Sequence, residues 1–303
     1  MGKITLRNLV AVIAAFCGLG YPAPAANADA LHQGIDQSNR SGILGSPQRY
    51  RVKENESLFE VARKFDVGIN AVVAANPKAD PWIPPAGSLI DIPTFWILPD
   101  LPTGSGIVVN IPELRLYFFP KKRSRSVATF PLGIGNQGRD TPTGGYLVIE
   151  KIINPAWHVP KSIRAESPHL PKVVPPGPDN PLGSHALRLS LSSVLIHGTN
   201  KPWGIGRRSS HGCLRLYPED IVKLFKLVAK GTRVTIVDQP IKACTQEGRV
   251  FVEVHRQESK AADVGRALHL LATKNLVART DFTKLIRAIE EMKGVPVDVT
   301  LVP

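Results

Sequence analysis

Residues 196–216 read IHGTNKPWGIGRRSSHGCLRL. The apolar run Val194-Leu195-Ile196 predicts a strand that delivers His197 at its end, and Cys213 lies sixteen positions further on. A thiol with a pKa of about 8.5 is only a few per cent thiolate at neutral pH, and an imidazole that takes its proton raises that fraction. No helix turn joins positions so far apart. The loop Thr199 to Ser209 therefore has to fold back, and Gly204 and Gly206 permit it. Gly212 allows a tight turn just before the thiol, which aims the N–H groups of Gly212 and Cys213 at a developing oxyanion. Alone, a buried cysteine is usually structural and a buried histidine usually a satisfied core group. Together at this spacing they point to nucleophilic catalysis. A zinc peptidase using His197, His211 and Cys213 is a rival, since Zn²⁺ accepts N and S donors. Against it, the loop holds no acidic residue to act as base.

Outward from this segment the pattern is that of strands. Ile107-Val108-Val109, Leu114 to Phe119, Val127 to Leu132, Tyr146 to Ile149 and Ala186 to Leu191 are rich in β-branched and aromatic residues. Pro218-Glu219-Asp220 opens a helix whose apolar stripe is Ile221, Leu224, Phe225 and Val228, and Val234 to Val237 is a last strand. The Pro-rich stretch 154–183 is long for a connection without structure of its own, and is read as a loop or lid over the site. Gly133 to Gly138 matches G-x-G-x-x-G, but turn chemistry and a strand follow it where a dinucleotide site needs a helix. Histidines His158, His169 and His255 are read as ordinary, and His185 as a residue able to approach the site.

Lys3 and Arg7, the apolar run Leu9 to Leu19 and Ala26-Asn27-Ala28 fit a signal peptide cleaved near residue 28. The run is too short to span a bilayer, and no later stretch is long and apolar enough. The mature protein is expected in the periplasm or cell envelope, with no transmembrane segment. Cleavage removes Cys17 and leaves Cys213 and Cys244, which either pair or stay free. With 38 Lys and Arg against 25 Asp and Glu, the net charge of +13 favours an anionic partner. The densest basic cluster, Lys121, Lys122, Arg123 and Arg125, is read as a solvated hairpin tip, and no nucleic-acid partner is expected.

Residues 48–93 read strand, helix, helix, strand. Ser57 with Glu60 is a capping box, and Leu58, Val61, Ala62 and Phe65 follow at helical spacing. With YRVKENESLFEVARKFDV, AANP and AGSLIDIP, this unit resembles the LysM module, which implies binding to cell-wall glycan. A linker is expected at 94–105, and residues 239–303 form a C-terminal extension with a strand and two helices but no assigned role.

The combination HGT, Gly-containing loop, SHGC and an apolar residue resembles the YkuD-type L,D-transpeptidases, in the branch typified by ErfK and YbiS. The likeness extends over 105–238, through TPTGGYLV and PPGPDNPLGSHALRLS. It implies an α+β fold: a mainly β-sandwich-like catalytic domain at 106–238, a small βααβ LysM domain and an α/β C-terminal extension. It further implies Cys213 as nucleophile, His197 as general base and Gly198 as the carbonyl that orients it. His211, Gly212 and Ser210 would support the nucleophile and oxyanion, and Arg215, where the wider family often has Asn, is a possible substrate contact. The implied reaction transfers the third residue of a peptidoglycan tetrapeptide stem, meso-diaminopimelate, from D-Ala to an amine. That amine belongs to a second stem or to an outer-membrane lipoprotein. Hydrolysis of the same thioester, as an L,D-carboxypeptidase or amidase-like hydrolase, and a non-catalytic wall-binding protein are the alternatives. No cofactor and no metal are expected.

Overall fold

The computed structural model describes residues 31–33, 42–100, 106–120, 126–191, 193–256 and 263–302. The expected signal peptide (1–28), the basic cluster at 121–125 and residues 101–105 of the expected linker lie outside them.

A nine-stranded sheet organises the catalytic half. Its order is Leu31–Gln33, Ser126–Pro131, Arg115–Phe119, Gly106–Asn110, Arg233–Val237, Gly144–Ile153, His185–Leu189, Leu195–His197, Leu214–Arg215. Two neighbouring pairs are parallel: Arg233–Val237 with Gly106–Asn110, and Leu195–His197 with Leu214–Arg215. Both ends of the sheet send side chains into one core, so the sheet curls. Ile107, Phe130, Val148, Leu187, Ile196 and Leu214 all meet there. Helix α4 (Pro218–Leu227) closes that core with Ile221 and Leu224, its first turn carrying Pro218, Glu219 and Asp220 as the N-terminal partial charge favours. Helices α1 to α3 are Leu58–Lys64, Ile69–Ala75 and Lys161–Glu166.

Every residue of Gly106–Asn110 and Arg115–Phe119 is buried. Side chains alternate along a strand, so this requires cover on both faces. Val108, Tyr117, Phe119 and Val127 face away from the first core and join a second one with Leu58, Val61, Val72 and Ile92. The 48–92 unit is thus packed on the outer face of the sheet. Within it, Gln48–Arg51 pairs antiparallel with Leu89–Ile92 around α1 and α2, and the Ser57–Glu60 capping box is formed in both directions. The C-terminal extension has its own core. Strands Ile241–Gln246, Arg249–Val254 and Val297–Asp298 carry helices α5 (Val264–Thr273) and α6 (Phe282–Glu291), capped by Asp263 and Asp281.

Two stretches differ from expectation. The read linker contains strand Phe95–Ile97, paired with Ile43–Gly45, and Trp96, Ile97 and Leu98 are buried. The flanking prolines read as punctuation, but an apolar run Phe-Trp-Ile-Leu costs too much exposed to water to be left there. Residues 29–47, whose small and polar composition reads as a flexible lead, supply both Leu31–Gln33 and Ile43–Gly45 to sheets.

Candidate active site

Strand Leu195–His197 runs beside Leu214–Arg215 with Ile196 opposite Leu214 and His197 opposite Arg215. Ile196 and Leu214 point into the core. Alternation then puts His197 and Arg215 together on the other face, and Cys213, two residues before Arg215, shares it. The loop between them is turned back by a short 3₁₀ turn at Pro202–Gly204 and anchored where Arg208–Ser210 pairs with Ile134–Gly135.

His197 is 2% exposed, and its Nδ1 lies 2.6 Å from the Gly198 carbonyl oxygen. A carbonyl only accepts, so Nδ1 carries the proton and Nε2 keeps its lone pair. Burial, and then the Arg215 charge, push the imidazole down to about 3. It is therefore neutral at any ordinary pH. Cys213 is a partly buried free thiol whose Sγ sits 3.8 Å from the Ser193 carbonyl oxygen. Burial pushes it up, opposed by the Leu195 backbone and by Arg215. The resting pair is thus thiol and neutral imidazole. Arg215 acts on both members, and its own Nη1 reaches the Ser209 carbonyl oxygen at 3.0 Å while its buried Nε has no partner among the described residues.

The backbone around the thiol is fixed by neutral hydrogen bonds. Ser210 Oγ donates to the Cys213 carbonyl at 2.6 Å and accepts from the Gly212 N–H at 3.2 Å. The Gly212 N–H, expected to face the oxyanion, is thereby engaged with Ser210. Gly212 sits at φ +101, reserved to glycine in practice, and its carbonyl accepts from Thr141 Oγ1 at 3.0 Å. A Cβ on Gly135 would fall 2.0 Å from the Arg139 carbonyl oxygen and 3.0 Å from Gly212 Cα. The Gly-rich 133–138 segment is therefore a wall of this site. Gly133 and Gly135 serve close backbone approach, and Gly138, at φ +80 with open space around it, serves the turn.

The Pro-rich stretch lies against the same face. Trp157–His158 pairs with Val173–Val174, and α3 presents Glu166 to an ion pair with Arg139 and, at 3.5 Å, to His211 Nε2. Burial and the charges of Arg139 and Arg215 push His211 down, so it faces Glu166 as a neutral ring. Asn180 staples the stretch, donating to the carbonyls of Pro155 (2.9 Å) and Pro175 (3.0 Å) and accepting from Leu182 N–H (2.9 Å). Thr141, Glu166 and Asn180 were not legible in the sequence, because each acts through residues distant along the chain. His185 packs edge-on to Phe225 of α4, away from the site. The ligand atoms of His197, His211 and Cys213 do not converge; among the described residues the one metal-like group is Glu113, Glu253 and His255. Cys244 is a buried free thiol in the C-terminal hairpin, unpaired with Cys213.

The thiol, the neutral imidazole and the curled sheet that presents them all fall within residues 104–236, which match the YkuD family model, the L,D-transpeptidase catalytic domain. Relatives extend the match beyond that domain. The Probable L,D-transpeptidase YcfS of Escherichia coli is 41% identical over 86% of this chain and 85% of its own length. The Escherichia coli protein YbiS is 38% identical over 85% and 88%. The NMR structure of the catalytic domain from an Enterococcus faecium L,D-transpeptidase covers 46% of this chain and 100% of that one, at 20% identity and TM-score 0.36. The chain belongs to the L,D-transpeptidase family, alongside the YcfS, YbiS and ErfK proteins. It is an L,D-transpeptidase acting on peptidoglycan. No helix among the described residues is long and apolar enough to cross a membrane.

Proposed function

We propose that Cys213 is the nucleophile and His197 the general base of a two-step acyl transfer. The parallel register that sets His197 opposite Arg215, with Cys213 on the same face, carries this reading. His197 Nε2 takes the thiol proton as Sγ attacks the carbonyl carbon of the third stem residue, meso-diaminopimelate. The Cys213 N–H, flanked by His211 and Gly212, faces the oxyanion. The C–N bond to D-Ala breaks, its nitrogen takes the proton from His197, and a thioester remains. An amine then attacks the thioester; His197 takes its proton and returns it to the thiolate. Gly198 and Ser210 position base and nucleophile. Arg215 is a cation for the thiolate and for a stem carboxylate. The acceptor is a second diaminopimelate side chain (a 3→3 cross-link) or the lysine of an outer-membrane lipoprotein.

The 48–93 unit is a LysM-like glycan holder, with Trp82 and Ile83 exposed on it. Residues 106–238 are the catalytic domain, and 239–303 an extension that buttresses it. The protein is exported to the periplasm by the segment 1–28. The test is incubation with disaccharide-tetrapeptide and mass spectrometry of the products. Dimers that have lost one D-Ala are expected, absent after iodoacetamide treatment and unaffected by a chelator. Product that survives alkylation overturns the assignment.

A further inference from the structure

A cavity of about 950 Å³ lies where the three parts of the chain meet. Helix α2 contributes Ala71, Val73 and Ala74, and the turn before Arg115–Phe119 contributes Ile111 and Leu114. From the loop between His197 and Cys213 come Arg207 and Arg208, and from the C-terminal extension Arg256, Met292 and Lys293. None of these belongs to the catalytic face.

Its charge is uneven. Arg115, also in the lining, is 2% exposed; its Nη1 donates to the neutral Thr129 Oγ1 at 3.1 Å, and its guanidinium lies 4.0 Å over the Trp96 ring. The Arg207 guanidinium lies 4.6 Å from the Phe59 ring centroid. Among the described residues neither of these arginines, nor Arg256, has a carboxylate within ion-pair distance. The two acids in the lining are already committed. Glu113 is held by Lys242 at 2.8 Å, and Glu291 by Lys293 at 2.9 Å. An unneutralised cation beside an apolar wall favours an anion that also brings apolar groups. Small side chains on α2 leave room for methyl groups. Trp96 offers no open ring face, since it is 2% exposed beneath Arg115, and the exposed Trp82 and Trp203 are outside the lining, so a sugar ring has nothing to stack on here.

We propose that this cavity is a second, non-catalytic binding site for a short acidic peptide with small aliphatic side chains, the chemistry a peptidoglycan stem presents. The identity of that source rests on the reading of peptidoglycan stems as substrate.

The probe is the tripeptide L-Ala-γ-D-Glu-meso-diaminopimelate, titrated calorimetrically into full-length protein blocked at Cys213 with iodoacetamide. The double variant Arg256→Glu, Lys293→Glu should weaken binding about tenfold, while turnover of soluble disaccharide-tetrapeptide by the unblocked variant stays at the parent rate. Ala74→Trp, which fills the cavity from α2, should act the same way. Unchanged affinity in both variants overturns the proposal. So does displacement of the tripeptide by chitotetraose, which would mark a sugar site, or by equimolar inorganic phosphate, which would mark a simple anion site. Failure of the Cys213 assignment shows separately, as turnover that survives alkylation in the parent enzyme.

Discussion

Two groups of polar side chains, one fully buried and one partly so, each contain a histidine and a cation. In the first, Lys242 Nζ meets Glu113 at 2.8 Å, Glu253 at 2.7 Å and the Ile97 carbonyl at 2.6 Å. His255 closes on Glu253 at 2.6 Å, and Tyr117 donates to Glu113. Every lysine proton and every carboxylate oxygen there has a partner. In the second, His197 meets backbone groups of Gly198 and Leu182, Cys213 meets backbone groups of Ser193 and Leu195, and Arg215 Nε has no partner among the described residues. The first group offers three metal-like ligands, yet a lysine ammonium already fills the space an ion would take. Completeness distinguishes a strut from a site: a satisfied network holds the extension on the catalytic sheet, whereas the open one keeps capacity for a substrate.

The sharpest way to break this contrast is to remove one member of each group. Cys213→Ala should reduce transpeptidation at least about a thousandfold and leave the melting temperature close to that of the parent. Lys242→Met should do the reverse. It strands two buried carboxylates, a loss of about 3–5 kcal/mol, while the folded fraction keeps its specific activity. Its pH dependence has a defined sign. Lys242 holds Glu113 below the ordinary carboxylate range, against the opposing burial. That contribution is present above the unfolded carboxylate's pKa and is lost as pH falls through the folded value. Acid unfolding of the parent, followed by circular dichroism, checks this; a Lys242→Met protein as stable as the parent at neutral pH would erase the distinction.

Legibility in the sequence divided along the same line. His197 and Cys213 could be read because a strand end and a glycine turn are local signals, and the capping box at Ser57 is local too. The strut could not be read, since Glu113 and Lys242 are 129 positions apart and a lone lysine in a strand looks solvent-facing. The strand Phe95–Ile97 was hidden for a related reason: its partner Ile43–Gly45 is short and flanked by glycine and serine, which read as flexible. Gly133–Gly138 gave a misleading local signal. Gly133 is explained by its approach to Gly204 and Gly135 by its approach to Gly212, which no pattern within the segment reveals.

The smallest expected effect bears on Arg215, the one charge in the open group. Its guanidinium opposes the burial that pushes the Cys213 thiol up, and it adds to the burial that pushes His197 down. Replacing it by methionine removes a cation beside a nascent thiolate, so the thiol should move further up and the imidazole back toward its ordinary value. The rate of iodoacetamide alkylation reads the thiolate directly. In the parent it should climb with pH through 9 without a plateau at neutrality, because the thiol sits above its ordinary value. In Arg215→Met the same curve should lie several-fold lower at each pH, about what loss of one screened charge contact implies, and Arg215→Lys should recover part of the difference. A curve that plateaus near pH 6 would mean that His197 and Cys213 rest as an ion pair, and the contrast between a resting neutral pair and a permanently charged strut would fall with it.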